Sequence, residues 1–160
     1  MNSRDFEAKI ETVRKTRRYL LSLVEGLSLE ALNAIPEGFS NNILWNLGHL
    51  VAAQQGICYL RAGRDMRVDQ SYFEAYRPGS VPREPATEQT RARINALLFS
   101  TLDELEADIN AGVFEHYEPL QTRYGVAISH IGDAVSFLLF HEGLHSGYIM
   151  ALKRAVAGKA

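Results

Sequence analysis

The sequence predicts an all-α protein, a four-helix bundle with long crossover connections. Four long segments repeat their apolar residues at helical spacing, no segment alternates with period two, and two long connections separate the helical segments. At 160 residues the chain forms one domain over 1–160, since a chain of this size removes roughly 68 to 70% of its unfolded surface from water.

In the first segment Phe6, Ile10, Val13, Leu20, Val24 and Leu27 recur at spacings of three, four and seven, making one apolar stripe that ends near Gly26. The basic run Arg14-Lys15-Thr16-Arg17-Arg18 follows Glu7 and Glu11 on the same segment and reads as a solvated helix face. Ser28 to Ile35 is a short helical turn closed by Pro36. Ser40-Asn41 then offers N-cap oxygens to a second long helix, Asn42 to about Arg61, which Gly63 stops. The stretch from Arg64 to Pro85 holds three prolines and no sustained period, so it reads as a long loop. Its Tyr72, Phe73 and Tyr76 are too apolar for a free linker and predict packing over one end of the bundle, against the pocket or a subunit contact.

Thr87 caps a third helix with Ile94, Leu98, Thr101, Leu105 and Ile109 on one face and Gly112 at its end. A second connection, Val113 to Val126, leads to the last helix, Ser129 to Ala157. Along one side of that helix lie Ala134, Phe137, Leu138, His141, His145, Ile149, Leu152 and Val156. Gly158 ends it, and Lys153 and Arg154 suit the negative end of its dipole.

Composition excludes several functions. A net charge of −2 with interspersed signs gives no electrostatic basis for binding nucleic acid or an anionic membrane. Cys58 is the sole cysteine, so no intrachain disulfide forms, and it reads as a buried small hydrophobe. With no signal-peptide core behind Met1 and no bilayer-length apolar run, a soluble cytoplasmic protein is expected.

The chemistry centres on His141-Glu142-Gly143-Leu144-His145 in the last helix. Residues four apart stand on one face of a helix, so both imidazoles can reach a single ion of the zinc, nickel or iron type. His116 lies in a polar connection, and His130 sits eleven residues before His141, about 16 Å along the axis. His49 is different. It lies on the stripe Asn42, Trp45, Asn46, His49, Ala53, Gly56 and Leu60, where it can face the bundle interior either as a hydrogen-bonded core residue or as a third ligand.

Asn41-Asn42-Ile43-Leu44-Trp45-Asn46-Leu47-Gly48-His49-Leu50, followed some ninety residues later by Phe140-His141-Glu142-Gly143-Leu144-His145-Ser146-Gly147-Tyr148-Ile149, resembles the DinB-like (YfiT-like) superfamily. The resemblance covers nearly the whole chain and implies a DinB-like four-helix bundle with a mononuclear divalent-metal site. By that pattern His49, His141 and His145 are the ligands. Zinc or nickel leads among the metals implied, with manganese and iron as alternatives. The resemblance implies such chemistry here: characterised relatives are thiol-dependent transferases or isomerases using low-molecular-weight thiols such as bacillithiol or mycothiol, many others have no established activity, and many members are dimers. One departure stands out: the family commonly reads HxGQ where this chain has His145-Ser146-Gly147-Tyr148, placing a phenol where the amide would be.

Two other metal classes fail on their remaining ligands. HExxH also names zincin peptidases, but the fifteen residues after His145 contain no Glu, Asp or His to complete such a site. Di-iron carboxylate bundles need a second ExxH, and the second helix offers Asn46 before His49 instead of Glu. A metal-dependent S-transferase, hydrolase or isomerase of small molecules is the leading reading. A non-catalytic metal-binding or interaction module is the alternative. In the enzymatic reading Glu142 serves as a base or orients a histidine. Asn42, Trp45, Asn46 and Tyr148 wall the substrate pocket, and Gly56 leaves it space. Gly143 and Gly147, four apart and roughly opposite the histidine face, each cost about 1 kcal/mol of helix propensity relative to Ala. Close approach of another backbone, within the bundle or in a second subunit, would offset that cost.

Overall fold

The computed structural model describes residues 3–157. In chain order the elements are α1 (Ser3–Val24), α2 (Leu29–Asn33), α3 (Ile43–Gln54), α4 (Gln70–Tyr76), α5 (Glu88–Asn110), β1 (Leu120–Gln121), β2 (Ala127–Ile128) and α6 (Ile131–Ala157). Helices α1, α3, α5 and α6 form the bundle. Both α1 and α3 pack against α5 and α6, so α1 and α3 share one diagonal and α5 and α6 the other. The chain therefore crosses a diagonal twice, which requires long connections after α1 and after α5.

Side-chain caps set the helix starts. Ser28, Asn42, Asp69 and Thr87 accept the backbone N–H three residues on, at α2, α3, α4 and α5 respectively. The second long helix is thus capped by Asn42 and not by the expected Ser40-Asn41 pair. That helix is also irregular. Beyond α3 the backbone widens to a π turn over Gln55–Tyr59, tightens to a 3-10 turn over Leu60–Ala62, and stops at Gly63 with φ 63°.

The Arg64 to Pro85 stretch, expected to be a plain loop, contains α4 and folds back on α3. Tyr72 is buried and its hydroxyl donates to the Gly48 carbonyl at 3.3 Å. The Tyr76 ring occupies the space beside Gly48, where a Cβ would lie only 2.6 Å away. Phe73 does the same less tightly at Gly56, 3.5 Å from where a Cβ would be, so the space expected there for a substrate is filled by protein. The second connection carries an antiparallel hairpin, Leu120 opposite Ile128, whose two-residue strands are too short to reveal alternation in the sequence. The helix-ending role given to Gly158 lies outside the described residues. No helix among the described residues is long and apolar enough to cross a membrane.

The core falls into two apolar clusters. One gathers Ile10, Val13, Leu102, Leu105, Val135 and Leu138; the other gathers Leu20, Leu47, Leu50, Ile94, Leu98, Ile149 and Leu152. Each such side chain, fully buried, stabilises the fold by about 1.5–3 kcal/mol. A buried polar set joins the four helices: Arg17, Gln54, Thr101 and Glu142. Arg17 corrects the reading of the basic run as solvated, because its side chain is completely buried. Nε and Nη2 donate to Glu142 Oε1, Nη2 also to the Leu50 carbonyl, and Nη1 to Gln54 Oε1 and the Leu98 carbonyl. These five contacts match the five N–H donors of a guanidinium.

Candidate metal centre

The His49 ring from α3 and the His141 and His145 rings from α6 converge, with ring centroids 4.6 to 5.2 Å apart. One ligand nitrogen from each lies within 4.8 Å of the others. Helical spacing stacks His141 over His145, and the packing of α3 on α6 brings His49 to them. His116 and His130 are exposed and outside the cluster, as expected.

Hydrogen bonds fix two of the rings. His49 Nδ1 donates to the Tyr76 carbonyl at 2.7 Å, and the Trp45 indole stacks on the same ring at 4.8 Å. His145 Nδ1 donates to Asn46 Oδ1 at 2.9 Å. The Asn46 amide orientation follows from its other contacts, since Nδ2 donates to Asn41 Oδ1 and the Asn42 carbonyl. With Nδ1 protonated on both rings, Nε2 is the bare nitrogen of each. This is the tautomer that an outer hydrogen bond imposes on metal-ligating histidines.

The rings are also held neutral. Burial, followed by the neighbouring imidazoles and the Arg17 and Arg123 guanidiniums, pushes His141 down to about 2. Burial, His49 and Arg123 push His145 down to about 3. Burial lowers His49 as well, against the opposing effect of its bond to Tyr76. Three neutral imidazoles with two oriented Nε2 atoms suit a divalent ion of the zinc, nickel, manganese or iron group. Three protein ligands leave coordination positions open, the arrangement of catalytic sites and not of closed structural ones.

The other expected site residues go elsewhere. Glu142, offered as a base, is 2% exposed and holds Arg17 through Oε1, while Oε2 has no partner among the described residues. A carboxylate so enclosed and so committed is poorly placed to accept a substrate proton. Asn42 and Asn46 are buried, one capping α3 and bonding the Asn33 carbonyl, the other orienting His145. Trp45 stacks on His49, and its Nε1 donates to Ser80 Oγ. Asn42 and Trp45 do line a cavity of about 490 Å3 with Tyr76 and Ser80, but none of the three histidines lines it. Tyr148 packs edge-on against Phe39, 5.4 Å between centroids.

A family model described as the DinB superfamily matches residues 12–149. The chain belongs to the DinB superfamily. No curated protein matches it significantly. Within this DinB-like bundle, sequence reasoning missed Arg17, the Tyr76 carbonyl and the aromatic rim beside His141. Arg17 left a signal, for it stands four residues after Val13 and three before Leu20, in the gap of the apolar stripe. A backbone carbonyl leaves none. The rim comprises Tyr124, Phe137 and Phe140, with Phe137 6.3 Å from the His141 ring.

Proposed function

We propose that this DinB-like protein holds one divalent ion on His49, His141 and His145 and acts as a thiol-dependent S-transferase of small molecules. The convergence of three neutral imidazoles carries the reading. An ion held there would stabilise an ionised sulfur or oxygen near neutral pH.

The residues around the histidines favour a thiol over water as the nucleophile. The carboxylate next to the histidines in sequence, Glu142, is bonded to Arg17 through Oε1. With Glu142 committed to Arg17, the site offers no carboxylate base to take a proton from water. A thiol ionises unaided near pH 8.5, so a modest depression suffices, whereas water needs a far larger one. The thiol proton then leaves to solvent, sulfur bonds to an electrophilic carbon, and the leaving group departs with its electron pair. Cytoplasmic work suits this chemistry, because thiols are kept reduced there.

The reading includes a homodimer. No atom of the described residues lies within 4 Å of where a Cβ would stand at Gly143 or Gly147, so packing among those residues does not account for them. Leu144 on the same helix is 40% exposed. Sedimentation at micromolar concentration should give twice the 17.9 kDa chain mass, and a sharp monomer would remove the dimer.

Cobalt substitution tests the chemistry. The cobalt-loaded protein titrated with 2-mercaptoethanol should develop a sulfur-to-cobalt charge-transfer band that is lost in His141→Ala. Cobalt bound at one equivalent with no spectral response to thiol would leave a metal-binding module without the transferase.

A further inference from the structure

The β1–β2 hairpin places a charged residue at the rim of the histidine cluster. Thr122 N–H donates to the Val126 carbonyl at 2.9 Å, Gly125 N–H to the Thr122 carbonyl at 3.0 Å, and Val126 N–H to Thr122 Oγ1 at 3.1 Å. Gly125 adopts φ 76°, a conformation glycine takes at low cost. This tight turn presents Arg123 and Tyr124 together. The Arg123 guanidinium lies over the Tyr124 ring, 5.5 Å from its centroid. Tyr124 in turn meets Phe140 edge-on at 5.1 Å and lies 6.5 Å from Phe137, which leads to His141 at 6.3 Å.

Several observations give this arrangement a chemical direction. Arg123 is exposed and makes no ion pair among the described residues, unlike Arg14, Arg17, Arg67 and Arg93, which hold carboxylates. The aromatic surface between Arg123 and the histidines is half open, with Tyr124 48% and Phe140 45% exposed. An exposed cation with no ion-pair partner among the described residues, on an aromatic shelf that leads to the histidines, matches a ligand with an anionic group and an apolar body.

We propose that Arg123 is a specificity-determining residue that receives an anionic group, of the carboxylate kind, on the small molecule whose other end reaches the three-histidine centre. The inference rests on the thiol-transfer reading and narrows its substrate class: a ligand with an anionic terminus and an apolar stretch against Tyr124 and Phe140. Tyr124 holds the guanidinium in place by a cation–π contact.

The test compares two thiols of equal length, 3-mercaptopropionate and the neutral 3-mercapto-1-propanol, as ligands of the cobalt-loaded protein, with the charge-transfer band as readout. The unmodified protein should prefer the anionic thiol, and Arg123→Ala should reduce that preference by about three- to tenfold at low salt. Arg123→Lys should retain part of it, and Arg123→Glu should reduce it below the alanine level. Because Arg123 is exposed, all three variants should keep one equivalent of cobalt and the same helical circular dichroism. A preference that stays the same across Arg, Lys, Ala and Glu overturns the assignment while leaving the transferase reading intact. No band with either thiol in cobalt-loaded protein overturns both.

Discussion

Two polar clusters lie within this bundle, and they are built in opposite ways. Around Arg17 the set is closed: five guanidinium contacts reach a carboxylate, an amide and two backbone carbonyls on three other helices. Around His49 it is open, because outer hydrogen bonds engage Nδ1 of His49 and His145 and leave their Nε2 atoms with no hydrogen-bond partner among the described residues. The first consumes its polarity in fixing the register of the helices, while the second keeps its polarity for something the chain itself does not supply. Glu142 stands beside His141 in sequence yet belongs to the closed cluster, since a step of one residue turns a helix by about 100°.

The comparison can be broken at its closed half with the largest effect. Arg17→Ala or Glu142→Ala should destabilise the protein by about 3–5 kcal/mol, because each leaves a buried charge unpaired. Replacing both by Met and Leu should cost far less, and urea unfolding measures the difference. A loss in the double replacement equal to the sum of the two single losses would show that the pair is not coupled.

At the open half the expected effect depends on pH. The folded imidazoles titrate below the unfolded value near 6.5, with His145 at about 3 and His141 at about 2. Above 6.5 neither state takes up protons and stability is complete. As pH falls below 6.5 toward the folded values, the unfolded chain binds protons the folded one does not, and stability is lost. For metal-free protein the urea midpoint should therefore decline between about pH 7 and 5, by up to about 2 kcal/mol for each strongly depressed ring. A midpoint that rises on acidification would contradict the burial described for these rings.

Smaller changes sharpen the boundary of the site. Gly48→Ala would place a Cβ 2.6 Å from the Tyr76 ring, and moving that ring also moves the carbonyl that holds His49. Metal affinity should fall about 10- to 100-fold, the usual effect of losing an outer-shell partner. Asn46→Ala should weaken it comparably through His145, and unchanged affinity in both would deny those partners any role. Least of all, Asp69→Ala removes the α4 cap and should cost about 1 kcal/mol, seen as a small loss of the urea midpoint.

Much of this was legible in the sequence where periodicity carried it. The apolar stripes located all four bundle helices, and the His49 stripe together with HxxxH located the histidines. What periodicity could not show was backbone chemistry and deviation from it. The π turn after Gln54, the Tyr76 carbonyl on His49 and the two-residue strands of the hairpin have no side-chain signature. Arg17 was misread because a charged residue on an apolar stripe looks like an edge of the solvated face until its partner, Glu142 on another helix, is known. The spacing places Asn46 on the face that meets the histidines but does not show its bond to His145, since helical spacing locates a side chain and does not say which atom it bonds.

The most direct test is the metal content of protein purified without a histidine tag, taken together with His49→Ala. One equivalent of a divalent ion in the unmodified protein, reduced to background in the variant at unchanged helical content, is the predicted result. Absence of stoichiometric metal under metal-replete conditions, or full retention of it when His49 is alanine, would contradict the three-histidine centre.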